Sequence, residues 1–239
     1  MIRLILNVVL IVILALSVWG GFKRGLIRTV AGIIAIIVSL IAANLFSSAY
    51  ARQLVPALNP FVGGYISSDT TTSRVLEKLG YKDSDYSLED ILSEDSSLKY
   101  DYSYEVMREL GFYIDASEDL AMDAVNYAAK NELNMTNAVT AVACNTIAYV
   151  GCIAITFIMV LILFVALLDM INIDFRLPKI DIIDEVGGSA LGLIKGFLYC
   201  VLICWVLGFA GLIIGKNTAD RCALVRFFLA FRFITRSLI

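Results

Sequence analysis

One charge in this chain sits where charge is expensive. Lys195 falls within Gly187-Gly188-Ser189-Ala190-Leu191-Gly192-Leu193-Ile194-Lys195-Gly196, which opens an apolar run from Phe197 to Ile214. A single ammonium in an apolar helix either stretches its stem toward lipid head groups or lines a polar path. Gly188, Gly192 and Gly196 recur every fourth residue, so on a helix they form one smooth stripe. Such a stripe admits a second helix backbone to backbone, the small-xxx-small mode of packing in lipid. Tight helix packing is therefore the first expectation for this stretch, and a polar path through Lys195 the second.

Other chemistry is sparse. The chain has no histidine, which removes Ser-His-Asp and Cys-His catalysis and most zinc sites. Cys144, Cys152, Cys200 and Cys204 sit in apolar runs, and read, with Cys222, as small hydrophobes without disulfides. Asp83, Asp85, Glu89, Asp90, Glu94 and Asp95 are numerous but lack the spacing and turn glycine of a calcium loop. No nucleophile stands with a base, and no phosphate loop or metal set is present. The expectation is a protein that is not an enzyme, with no catalytic or metal residues, no cofactor and no nucleic-acid partner.

The elements that must position Lys195 follow from composition. Of 239 residues 59% are hydrophobic, and the mean hydropathy is +0.82, far from an ordinary soluble domain. Residues 47–136 carry seven Lys and Arg against sixteen Asp and Glu, a net of −9. The remainder has twelve cations and six carboxylates, a net of +6. One part is acidic and water-loving, the other apolar with basic edges. Four apolar runs are long enough to span: Leu4 to Phe22, Leu26 to Phe46, Ala138 to Leu168, and the glycine-stripe helix ending near Gly215. The gap between the first two, holding Lys23, Arg24, Gly25 and Arg28, permits only a tight helical hairpin. The predicted class is an all-α membrane protein: four transmembrane helices in two hairpins, with interfacial amphipathic helices and a helical extramembrane insertion. The predicted parts are hairpin 1 over 1–46, an acidic lobe over 47–136, hairpin 2 over 137–215 with a surface connector at 169–187, and a basic interfacial helix over 216–239.

Pro56, Pro60 and Gly63-Gly64 read as an irregular exit from the membrane. Helices are expected from Arg74 to Leu79 with Gly80 as stop, from Ser87, from Ser103 to Leu110 before Gly111, and from Ser117. The Ser- and Asp-rich stretch 82–103 has disorder as its alternative. Thr136 is the expected cap of the next helix, and Asn145 an expected hydrogen-bond partner for a neighbouring one. Around Pro178, apolar residues alternate with Asn172, Asp174 and Arg176, which predicts a segment lying on the bilayer. Near the C-terminus Leu224, Phe227, Phe231, Ile234 and Leu238 share a face, and Arg221, Arg226, Arg232 and Arg236 supply the cations for an interfacial helix. Orientation stays open: Lys23, Arg24, Arg28, Arg176 and Lys179 on one side meet Arg3, Lys216, Arg221, Arg226, Arg232 and Arg236 on the other.

Gly21-Phe22-Lys23-Arg24-Gly25-Leu26-Ile27-Arg28 is similar to the R-G-h-h-R-E signature (h, apolar) of the colicin V production protein (CvpA) family. Asp184-Glu185-Val186-Gly187-Gly188 through Gly196 resembles that family's D-R-h-h-G-x-x-x-G-x-h-[KR]-G entry to its fourth helix. Arg24, Gly25, Arg28, Asp184 and Lys195 are the motif positions. Asn7 and Thr29 replace carboxylates usual in the family, Glu185 replaces a basic residue, and 47–136 looks like an insertion. Arg3 and Ala15-Leu16-Ser17 would also suit a signal peptide. Because the first motif follows directly on the first helix, that helix is expected to remain. The resemblance implies a multi-pass protein of the bacterial inner membrane, both termini and the acidic lobe facing out, that supports colicin V production or export and envelope integrity. In that reading the lipid bilayer is the first partner, and the glycine stripe docks a helix of its own chain, a partner membrane protein or a second copy. A transporter or channel component, with Lys195, Arg28, Asn145 and Asn7 sharing a cavity, is the alternative. A third is an envelope sensor using the acidic lobe.

Overall fold

The computed structural model describes residues 2–81, 88–94, 97–170, 181–209 and 222–231. Among these residues there is no strand; the helices are α1 (Ile2–Ile66), α2 (Asp69–Lys78), α3 (Leu88–Glu94), α4 (Leu98–Glu109), α5 (Ile114–Asn131), α6 (Met135–Met170), α7 (Asp181–Leu207) and α8 (Ala223–Leu229). The chain forms two compact units. The first comprises Met1–Ala49, Gly151–Leu207 and Asp220–Ile239; the second comprises Tyr50–Val150 and Gly208–Ala219. Three helical stretches are long and apolar enough to cross a membrane: Leu4–Ile66, Met135–Met170 and Asp184–Leu207. The first far exceeds the ~20 residues of one crossing. It is interrupted at Gly25, whose φ of 76° and ψ of 175° leave the helical region.

In the first unit, large apolar side chains point outward, among them Leu4, Ile11, Leu16, Ile34, Ile158 and Met159. That distribution suits hydrocarbon rather than water. Around Gly25, the residues before it and after it meet α7 in opposite order. Leu14 lies by Gly196, Ser17 by Gly192 and Gly196, and Gly21 by Gly188 and Gly192. Beyond the break, Leu26 lies by Gly187 and Gly32 by Lys195. α8 packs through Val225, Phe228 and Leu229, all buried, and Phe228 meets Phe197 edge-on at 5.5 Å between centroids. Phe227, from the face read in the sequence as interfacial, is 54% exposed. An aromatic cluster of Phe197, Phe227, Phe228 and Phe231 fixes the rotation of α8.

The second unit is built as a water-soluble domain would be. Val75, Tyr102, Val106, Met107, Leu110, Phe112, Leu120 and Val139 form its core, joined by Val62 and Ile66 at the end of α1. The irregular exit expected at Pro56 and Pro60 is absent: the helix runs through both prolines and Gly63-Gly64 to Ile66. Both prolines are exposed and four residues apart, so the carbonyls they leave unbonded lie on the outer face, while Val62 and Ile66 hold the inner face in the core. Ser68 caps α2 by accepting from Thr71 N–H, five residues before Ser73, which precedes the expected start at Arg74. Gly80 and Gly111 take positive φ, 88° and 83°, directly after α2 and α4, the stops read from sequence. α4 begins at Leu98 rather than Ser103. α5 begins at Ile114, and Ser117 is buried inside it, its hydroxyl donating back to the Tyr113 carbonyl at 3.1 Å. α6 is capped by Asn134, which accepts from Asn137 N–H at 3.0 Å, in place of Thr136.

Two further expectations move. α7 ends at Leu207 rather than near Gly215, and Gly208 leaves the helix to accept from Tyr113 N–H at 2.9 Å. Residues 181–186, assigned from sequence to the surface connector, are the first turns of α7. The connector around Pro178, the stretch 82–87, and Arg221, Arg232 and Arg236 lie outside the described residues.

Candidate functional site

The site is a corner and a seam. At the corner, Gly25 supplies a positive φ that a side chain resists, and the space a Cβ would fill is held by the Asp184 carboxylate. That carboxylate is 6% exposed and accepts from Leu26 N–H at 2.8 Å. Leu26 opens a helical segment whose first amides have no intrahelical partner, so Asp184 acts as a cap supplied from another helix. Thr29 donates its hydroxyl to the Gly25 carbonyl at 2.7 Å, satisfying the acceptor on the other side of the break. Two residues of the sequence motifs, Gly25 and Asp184, are thus one structural device.

The seam is the glycine stripe. A Cβ built on Gly188 would lie 2.9 Å from the Gly25 carbonyl carbon, and one on Gly192 would lie 3.2 Å from the Gly21 Cα. At Gly196 the neighbours are Ser17 and Leu14. Backbone meets backbone, as the small-residue mode of packing requires. The stripe's occupant is therefore the chain's own first helix. Ser17, Gly21 and Gly32 were not read from the sequence as contact residues. Ser17, Gly21 and Gly25 repeat every fourth residue, the same signal as Gly188, Gly192 and Gly196 on the facing helix.

Beside the seam lies a cavity of about 310 Å³ into which Arg24, Arg28 and Lys195 converge, together with Ser17, Thr29 and Tyr199. Lys195 lays the end of its side chain over Gly32, where a Cβ would come within 2.6 Å of Nζ, and its ammonium lies 5.8 Å from the Tyr199 ring centroid. Glycine at 32 makes the room for it. Arg28 also pairs with Asp169 at the end of α6. That pair is part-exposed, with side-chain exposures of 28% and 54%, so it contributes little to stability. Lys23, next to the corner, stacks on Trp19 at 4.3 Å. Of the four residues expected to share a polar cavity, only Lys195 and Arg28 do so. Asn7 instead accepts from the Cys222 thiol at 2.9 Å, and Asn145 is exposed on α6 with no hydrogen bond to another helix among the described residues. Arg226 lies exposed on α8. Among the described residues no three His, Cys, Asp or Glu side chains converge as metal ligands would.

An all-helical chain with three long apolar helices and a small-residue seam defines an integral membrane protein. Residues 6–76 match the family model of the colicin V production protein, and over that segment the resemblance carried by Arg24, Gly25 and Arg28 holds. The motif from Asp184 to Gly196 lies beyond the matched residues, and the corner joins it to them. No curated protein and no solved structure matches the chain.

Proposed function

We propose that this is a non-enzymatic, multi-pass protein of the bacterial inner membrane that supports colicin V production or export and envelope integrity, acting as a packed helical platform. The family match over residues 6–76 supports the link to colicin V production. The observation that carries the platform reading is the seam, where Ser17 and Gly21 meet Gly188, Gly192 and Gly196 backbone to backbone. In this reading the chain crosses four times, as two hairpins, because the break at Gly25 divides α1 into two spans and reverses its direction along α7. The acidic lobe faces out of the cytoplasm and meets soluble partners. Since the stripe is filled from within, a partner or second copy meets the outward apolar faces instead. Crosslinking in membranes followed by pull-down is the test. Capture of a defined partner or a self-assembled form is expected; recovery of isolated monomer alone would count against the platform.

A second reading, a transporter or channel component, has one observation in its favour: Lys195 shares its cavity with Arg24 and Arg28. Lys195→Met separates the two. A platform keeps its assembly and nearly all its function; a conduit keeps its assembly and loses flux.

A further inference from the structure

We propose that the cavity bounded by Arg24, Arg28 and Lys195 binds a phosphate oxyanion, and that its surroundings suit the head group of an anionic phospholipid. The inference stands whether the protein is a platform or a conduit, because it rests on the cavity alone.

Three cations converge there, and no Asp or Glu is among the residues lining it. Arg28 has Asp169 as a counter-ion, but Arg24 and Lys195 have no hydrogen bond or ion pair to any described residue. Like charges brought together repel one another, and an entering anion relieves that cost. Lys195 is not a side chain that has merely drifted there. The end of its side chain lies over Gly32, Nζ nearest and Cε and Cδ behind it, and the residue lines the cavity. Guanidinium forks grip phosphate oxygens two at a time, which suits Arg24 and Arg28, and the ammonium adds a point charge.

Hydroxyls complete the set in a selective way. Thr29 already donates to the Gly25 carbonyl, so it has no proton left to offer. Ser17 and Tyr199 line the cavity with their donors uncommitted among the described residues. The volume, about 310 Å³, is at the small end of ligand sites and accommodates a phosphate with part of its ester. Ile13 and Leu16 form an apolar wall, and Leu16 is 56% exposed on the face that meets hydrocarbon. A phosphate carrying acyl chains would place its head among the cations and its tails along that wall. Basic pockets between membrane helices take lipid head groups in this manner.

The test uses the full chain in detergent, followed by native mass spectrometry. Phosphatidylglycerol and phosphatidylcholine with the same acyl chains are titrated in, each with and without inorganic phosphate. Phosphatidylglycerol should be retained preferentially. Arg24→Gln and Lys195→Met should each weaken it about fivefold, the worth of one basic residue near anionic lipid. Lys23→Gln, whose side chain stacks on Trp19 away from the cavity, should leave retention unchanged. If Lys195→Met fails to give a monodisperse protein, Arg24→Gln at its exposed position decides. Displacement of the lipid by millimolar phosphate supports the oxyanion chemistry and assigns it to a soluble ligand, overturning the lipid source. Equal retention of the two lipids with no effect of phosphate, or wild-type retention in Arg24→Gln, overturns the proposal.

Discussion

The two units hold themselves together by opposite means. In the second, the large side chains are inside: Tyr102, Met107 and Phe112 are at most 1% exposed, and Glu105 and Lys78 pair at the surface. In the first, Ile155, Met159 and Ile162 are more than 60% exposed, while Ser17, Gly21 and Gly188 line the contact between helices. Burying a Phe or Tyr against water is favourable by a few kcal/mol, and lipid offers no such gain. Where hydrocarbon is the solvent, close backbone approach and well-placed hydrogen bonds must do the holding. One chain thus uses bulk where it faces water and smallness where it faces lipid.

That contrast can be broken at either end. Phe112→Ala removes a core side chain that also packs edge-on to Phe209 at 5.7 Å, and should cost the second unit about 3–5 kcal/mol. Thiol labelling would then open Cys144 while Cys200 and Cys204 stay protected. Gly192→Leu should do the reverse, costing about 3 kcal/mol because its neighbours are backbone atoms that cannot yield. Cys200 and Cys204 would become reactive with Cys144 still closed, and equal opening of all three in either variant would show that the units do not behave separately. Asp184→Ala strands the Leu26 amide and should cost about 1–2 kcal/mol, read as a lower midpoint for the same thiols; Asp184→Asn, which keeps an acceptor, should lose less.

The smallest expected effect is alkaline weakening of the second unit. Burial lowers the Lys78 pKa, but hydrogen bonds to Glu105 and Glu109 outweigh it and hold the group above its ordinary 10.5. Burial likewise raises the Tyr102 phenol above 10.0, against the opposing hydrogen bond with Thr136. Both folded-state values lie above the unfolded ones, so the folded chain holds its protons longer. Their contribution is complete below about pH 10 and is lost as pH rises through the folded values. Lys78 is 44% exposed, so its share stays below about 1 kcal/mol. The melting midpoint followed by tyrosine absorbance should hold steady up to about pH 10 and fall as the pH is raised beyond it, and a rise there would refute the sign.

Much of this was legible in residue types. The stops at Gly80 and Gly111 follow from glycine's freedom at positive φ, and the stripe from its spacing. Helix starts were less legible, because Ser68 and Asn134 compete with equally suitable Ser73 and Thr136, and only the core decides which turn is buried. Pro56 and Pro60 misled because sequence does not show which face a proline occupies. At the site, the cations at 24, 28 and 195 stood out one by one. Their convergence depended on Gly32, a residue whose role is to be absent from a space. The clasp at the Gly25 corner joins two motifs through a single hydrogen bond, Leu26 N–H to the Asp184 carboxylate, between residues 158 apart, a distance no local pattern reports.

That separation carries a consequence for biogenesis. The ribosome makes the glycine corner before the carboxylate that clasps it, which emerges only after all of α2 to α6 has been synthesised. Throughout that interval the first turn of the Leu26 segment has an open amide at its head, and the corner is closed only when α7 arrives.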